Sequence, residues 1–188
     1  MEALLKKEII LNKATTRLVG VVIFIILTSL AAFVRIPLPF TPVPITLQTF
    51  FVLLSGLCLG SRLGFLSQCG YVFLGAAGLS VFTGSGSGLF YLFGPTGGYL
   101  VGFAIASFLA GKLVRFGQNS LPLIFIKLCL ADFVLLACGA IWLKFFLSCS
   151  LREALLIGFL PFLAGDLLKI LVASILYLRL RLRLEGIF

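Results

Sequence analysis

Residues Leu18 to Val34 read LVGVVIFIILTSLAAFV, seventeen positions without a charged side chain. As a helix this run is about 25 Å long, close to the lower limit for crossing the hydrocarbon core of a bilayer. Five more apolar runs follow: Ile45 to Gly60, Leu63 to Leu79, Gly97 to Val114, Leu121 to Leu147, and Phe159 to Leu178. The breaks between them are Arg35 to Pro44, Ser61-Arg62, Ser80 to Thr96, Arg115 to Ser120, and Ser148 to Gly158. Two runs fall short of the usual span, which predicts strong tilt or burial inside the bundle. Composition supports the same reading: 61% of residues are hydrophobic, 11% are charged, and the mean hydropathy is +1.24. A soluble domain of 188 residues needs a polar surface that this composition does not supply. The chain therefore reads as an all-α integral membrane protein, one domain over 1–188 with six transmembrane helices.

The net charge of +9 raises nucleic-acid binding, and the placement of the charges argues against it. Lys6, Lys7, Lys13 and Arg17 precede the first run, while Arg179, Arg181 and Arg183 follow the last. Residues 1–17 read as a cytoplasmic lead-in without a signal-peptide cleavage site, and 179–188 as a basic cytoplasmic tail. With both termini inside, Arg62, Lys112 and Arg115 join the cytoplasmic set, giving ten cations against the outer three, Arg35, Lys144 and Arg152. That asymmetry is the positive-inside signature of a plasma-membrane protein, with basic ends beside anionic headgroups. It places the long breaks outside.

Two outer breaks have unusual content. Arg35 to Gln48 reads RIPLPFTPVPITLQ, with Pro37, Pro39, Pro42 and Pro44 holding the backbone extended. Thr83 to Gly98 reads TGSGSGLFYLFGPTGG, where glycines permit close approach to a ligand or a positive φ. Ordinary connections and a lid over a pocket both fit such loops. No internal repeat is visible.

Asp132 and Asp166 lie inside apolar runs, where an ionisable group is costly and faces the bundle interior. Asp166 and Lys169 are three apart and share a helix face, so they form a structural ion pair or offer an acceptor and a donor to a polar ligand. Asp132 lies five residues after Lys127, off its face; structural burial or contact with a neighbouring helix suits it, while Lys127 can snorkel. Gln68 reads as an interhelical hydrogen-bonding group. Thr46, Gln48 and Thr49 adjoin the proline loop, and Thr46 and Gln48 can reach one pocket only if the helix starts irregularly there.

Catalytic and cofactor chemistry is poorly served. The chain has no histidine, and Cys58, Cys69, Cys129, Cys138 and Cys149 form no CxxC pair, so neither a metal site nor a disulfide framework is expected. No P-loop is present, so uphill movement of a solute would draw on ATPase partners or on ions.

The blocks RIPLPFTPVPITLQTF, GLCLGSRLG, GLSVFTGSGSG, GPTGGYLVGF and GDLLK, in order from about residue 28 to 175, resemble the BioY family. These are the biotin-binding membrane subunits, or S components, of energy-coupling factor (ECF) vitamin transporters. The resemblance implies a six-helix S-component fold that captures biotin on the outer side and topples to release it inside. It implies association with a coupling transmembrane protein and two ATP-binding-cassette ATPases, and it places Asp166 and Lys169 against biotin. By the same resemblance the proline and glycine loops line and close the site. That adds Thr46, Gln48, Gly84, Ser85, Gly86, Gly97 and Tyr99, with Phe82, Phe90 and Tyr91 as walls for the apolar rings. S components often dock through small residues four apart on the first helix; here the nearest match is Thr28 and Ala32, with Ser29 and Ala31 alongside. Alternative readings are an S component for another vitamin, a solitary biotin transporter, and, in a different class, an intramembrane aspartyl enzyme using Asp132 and Asp166.

Overall fold

The computed structural model describes residues 2–116 and 120–184, with side chains described for 13–116 and 120–181. Lys6, Lys7, Arg183 and the tail positions 185–188 thus lie outside the described side chains, as does 117–119 within the fourth break. The elements run α1 (Glu2–Ala31), β1 (Arg35–Ile36), β2 (Ile45–Thr46), α2 (Gln48–Ala76), α3 (Leu89–Leu92), α4 (Gly97–Val114), α5 (Leu121–Leu147), α6 (Leu151–Gly158) and α7 (Leu160–Leu184). Five helices are long and apolar enough to span a bilayer, namely α1, α2, α4, α5 and α7.

The sixth rod comes from a reversal inside α2. Gly60 sits at φ 78°, ψ 174°, which breaks the helix into limbs 48–59 and 61–76. The limbs lie side by side: Gln68 Nε2 donates to Ser55 Oγ at 3.1 Å, and Gln48 Nε2 to Tyr71 OH at 2.6 Å. A straight helix would hold these pairs about 20 and 35 Å apart. At about 18 and 24 Å the limbs are shorter than the bilayer core. One face of each limb packs into the bundle, where Val52, Leu53 and Tyr71 are fully buried, while the second limb also exposes Phe65, Leu66 and Phe73.

Small residues let the limbs of α2 meet α4 backbone to backbone. A Cβ on Gly56 would lie 2.1 Å from the Ser107 carbonyl oxygen, and one on Gly111 would lie 2.4 Å from Ser61 N. Gly64 leaves only 2.9 Å to the Gly56 Cα. Across the α4–α5 seam, Gly139 accepts the Tyr99 ring and Gly102 faces the Leu135 backbone. Around this centre, α1, α5 and α7 expose Ile26, Phe133 and Leu168. Such an apolar exterior suits lipid and would be an aggregation surface in water.

The structure departs from the sequence reading in three places. The break Ser148 to Gly158 contains a helix, α6, started by a capping box in which Ser150 Oγ accepts from Glu153 N and Glu153 Oε2 accepts from Ser150 N. The Ser-Leu-Arg-Glu spelling carried that signal. Residues 80–96 hold a 3₁₀ turn, Thr83–Ser85, and α3. The small-residue face of α1 points inward: Thr28, Ala31 and Ala32 are buried against the bundle, and Gln68 Nε2 donates to Thr28 Oγ1 at 3.4 Å. A partner cannot dock on Thr28 and Ala32 while the bundle covers them.

A Gly56→Val substitution drives a side chain into the Ser107 carbonyl and is expected to destabilise the bundle by about 3 kcal/mol or more. Gly165→Ala, whose new methyl meets only the Ile45 Cγ2 at 3.7 Å, should be neutral or stabilising by up to about 1 kcal/mol. Thermal unfolding in detergent, read by loss of the monodisperse peak, separates the two.

Candidate functional site

A cavity opens where the β1–β2 ribbon, the loop before α4 and the first turns of α7 converge. It holds about 510 Å³ of space free of protein atoms, including the part open to solvent. Its polar lining is Thr46, Gln48, Thr49, Thr83, Thr96, Asp166 and Lys169. Tyr91, Tyr99, Phe103, Phe162, Leu100, Leu135, Leu136, Val43 and Pro44 form the apolar and aromatic wall.

The irregular helix start that the sequence required is present. Thr46 ends β2, and Leu47 turns into the helical region at φ −79°, ψ −2° before Gln48 begins α2. Gln48 N donates to Thr46 Oγ1 at 3.3 Å, which satisfies one of the open N–H groups of the first turn. Strand geometry at 46 and helix geometry at 48 bring both side chains to one cavity. Gln48 then spans the site's edge. Its Oε1 accepts from Thr83 Oγ1 at 3.2 Å, its Nε2 donates to Tyr71 OH, and Tyr71 OH donates to the Val81 carbonyl at 3.2 Å.

At the centre, Asp166 and Lys169 pair along α7, with Nζ 2.8 Å from Asp166 Oδ1. Both are largely withdrawn from solvent, at 3% and 14% side-chain exposure. Lys169 Nζ also donates to the Thr46 carbonyl at 2.6 Å and to Thr49 Oγ1 at 2.9 Å. Thr49 Oγ1 donates in turn to Asp166 Oδ1 at 2.8 Å. An ammonium has three donors, and all three are used. Asp166 is different, because its Oδ2 is buried with no hydrogen-bond partner. The site is therefore an unmet acceptor set beside a cation whose own bonds are complete. An unmet buried carboxylate oxygen costs free energy until a donor arrives. Thr96 Oγ1, also on the cavity wall, lacks a partner as well.

The glycine loop supports this wall more than it lines it. Phe82 is fully buried and stacks on Tyr91 at 4.8 Å, with its edge toward Tyr71. Gly86 leaves room for the Tyr91 ring, which would otherwise lie 2.1 Å from a Cβ. Gly84, at φ +73°, sits on the Arg35 guanidinium, so the glycine loop rests on the ribbon of the proline loop. Ser85 also takes a positive φ, 60°. Gly97 lets the Leu92 carbonyl approach as α4 begins, and Tyr99 OH donates to the Gly158 carbonyl.

Of the residues singled out in the sequence, the cavity thus gathers Thr46, Gln48, Tyr91, Tyr99, Asp166 and Lys169. Phe82, Gly84, Ser85, Gly86 and Gly97 lie behind its wall or shape the adjoining loops. Phe90 is 93% exposed and faces away from the cavity. Thr49, which bridges the ion pair, was legible as a polar neighbour three residues after Thr46. Val43, Phe103, Leu135 and Phe162 carry no signal that distinguishes them from other apolar residues.

Other buried polar groups lie off the cavity. Gln68 joins Thr28, Ser55 and Ser67. Asp132 is 3% exposed on α5, with its Oδ1 unpartnered. Lys127 donates to the Phe116 carbonyl at 2.7 Å.

Removing one partner of a buried pair leaves the other uncompensated. Lys169→Met should therefore cost about 3 kcal/mol or more of stability, and adding Asp166→Asn should recover part of it. Detergent unfolding of the two singles and the double, read as a cycle, gives the coupling.

Comparison with known proteins agrees with this architecture. A profile of the BioY family matches residues 3–186. A Pyrococcus horikoshii protein named "Probable biotin transporter BioY" is 41% identical over 164 residues, covering 86% of this chain and 93% of its own. "Biotin transporter BioY" of Thermotoga maritima is 40% identical over 159 residues, covering 85% and 92%. A crystal structure of the S-component for biotin from an ECF-type ABC transporter superposes with a TM-score of 0.84 at 30% identity, covering 90% of this chain and 93% of that one. The buried Asp166–Lys169 cavity thus sits in a multi-pass membrane protein, and the chain belongs to the BioY family.

Proposed function

We propose that this chain is a membrane-embedded biotin-binding subunit that captures biotin for uptake as the S component of an ECF-type transporter. The observation that carries the reading is the unpartnered Asp166 Oδ2 on the wall of a cavity lined by aromatic rings, in a chain whose relatives are named for biotin transport. Biotin offers two ureido N–H donors, and an Asp carboxylate accepts such a donor well. Its fused rings and valerate chain are apolar and match Tyr91, Tyr99, Phe103 and Phe162. Lys169 holds Asp166 in place and lends a positive potential to the ligand's carbonyl or carboxylate. To bond the ligand directly it would exchange one of its three present acceptors.

In this reading the cavity faces outward, both termini are cytoplasmic, and the whole chain acts as one transmembrane unit in the plasma membrane. The cation asymmetry supports that orientation. Phe82, stacked behind Tyr91, and Gly84, Ser85 and Gly86 hold the loop that borders the cavity, while Gly97 sets the start of α4. Energy for uptake comes from a coupling transmembrane protein and two ATP-binding-cassette ATPases, because this chain carries no nucleotide motif.

Purified protein should retain radiolabelled biotin without ATP. Asp166→Asn and Lys169→Met should each weaken retention roughly thirtyfold or more, while lipid-facing Leu168→Ala leaves it unchanged. Wild-type affinity in both site variants would refute the assignment. Excess riboflavin, thiamine or folate should not displace the label; displacement by one of them would transfer the site to that vitamin.

A further inference from the structure

At the opposite end of the bundle from the cavity, three separate helices bring cations to one groove. Arg17 comes from α1, Arg62 from the start of the second limb of α2, and Lys112 and Arg115 from the end of α4. All four are exposed, and no ion pair occurs at any of them among the described residues. The groove encloses about 1230 Å³, including its open side. Arg115 reaches over the α2 reversal, its Nη2 3.6 Å from where a Cβ on Gly60 would lie. The second limb starts here, while the first limb and α4 end here, so the positive charge of the groove comes from the four side chains and not from helix dipoles.

Apart from Ser61, the rest of the lining is apolar. Leu59, Leu63, Phe108 and Phe116 alternate with the cations, and Phe108 meets Phe65 edge-on at 6.4 Å on the outer face of the bundle. Lys112 Nζ lies 5.7 Å over the Phe108 ring, which pins the charge at the boundary between the two surfaces. Four like charges gathered without a carboxylate among the described lining residues repel one another unless an anion joins them.

We propose that this groove is a binding site for one anionic phospholipid, with the headgroup phosphate on Arg62 and Arg115 and the acyl chains along Phe108 and Phe65. A purely acidic protein segment would satisfy the cations and leave the apolar half of the groove without a partner. A phospholipid satisfies both halves, and basic pockets between helices at the cytoplasmic face are where such headgroups bind. The site is independent of the ligand cavity. Its occupant would tie α1, α2 and α4 together at the end where α2 reverses.

The test uses full-length protein in detergent, with phosphatidylglycerol or phosphatidylcholine added and the adducts counted by native mass spectrometry. One phosphatidylglycerol should remain bound at least about tenfold more tightly than phosphatidylcholine. Arg62→Gln with Arg115→Gln should abolish that preference, Arg62→Lys with Arg115→Lys should keep most of it, and Lys13→Gln with Arg179→Gln, an equal loss of charge elsewhere, should leave it intact. Equal loss in the two glutamine pairs would overturn the proposal in favour of diffuse attraction. So would equal retention of the two lipids, or displacement of phosphatidylglycerol by soluble glycerol phosphate at matched concentration. Biotin retention by the same variants reports that the fold is intact.

Discussion

Backbone-to-backbone contact between the two limbs of α2 and the helix α4 is the constraint on which the other parts depend. Lipid is as apolar as a leucine side chain, so helices in a bilayer gain little from hiding apolar surface against each other. They associate by close packing and by internal hydrogen bonds. Gly56, Gly64 and Gly111 make the packing possible by leaving no Cβ between the backbones. Gly60 makes the geometry possible, because the reversal needs a positive φ that a residue with a side chain resists. Once α2 is folded, Ser55 meets Ser107 at 2.8 Å, and Gln68 lies within reach of Thr28 and Ser55. Those bonds link three helices with no water to compete for them.

The cavity follows from the same arrangement. The reversal sends the second limb back toward the end where the first limb started, so Tyr71 returns beside Gln48. Tyr71 then braces Phe82, Phe82 braces Tyr91, and Tyr91 donates to the Thr83 carbonyl at 3.1 Å. The loop is thereby held by an aromatic stack that reaches down into the core. On the opposite wall, Tyr99 binds the carbonyl of Gly158, which fixes the break between α6 and α7 and so the height of Asp166. The ion pair is placed by packing at both ends. Its strength is local, while its position belongs to the whole bundle.

Much of the architecture could be read along the chain. The runs Gly97–Val114 and Leu121–Leu147 are the bounds of α4 and α5, because hydropathy changes sharply where a helix leaves the bilayer. Asp166 and Lys169 share a face because their spacing dictates it. The limits of such reading are equally physical. Thr49 Oγ1 meets Asp166 across a separation of 117 residues, and no pattern along the chain encodes that contact. Phe90 and Tyr91 are adjacent aromatics of equal promise in the sequence; one turn of helix sends the first to the exterior and the second to the cavity. The small residues of α1 suggest an interface, and the bundle uses them to pack α1 against itself.

The sequence by itself determined the membrane habitat, the six apolar runs, and the presence of a charged pair within one of them. Composition and spacing suffice for these, because they depend on transfer from water to lipid and on the helical repeat. Only the tertiary structure decided which atoms remain unsatisfied. Lys169 completes its three bonds with groups from β2, α2 and α7, and Asp166 keeps one oxygen without a donor. That division depends on where three segments meet in three dimensions, and it separates a closed ion pair from an open site.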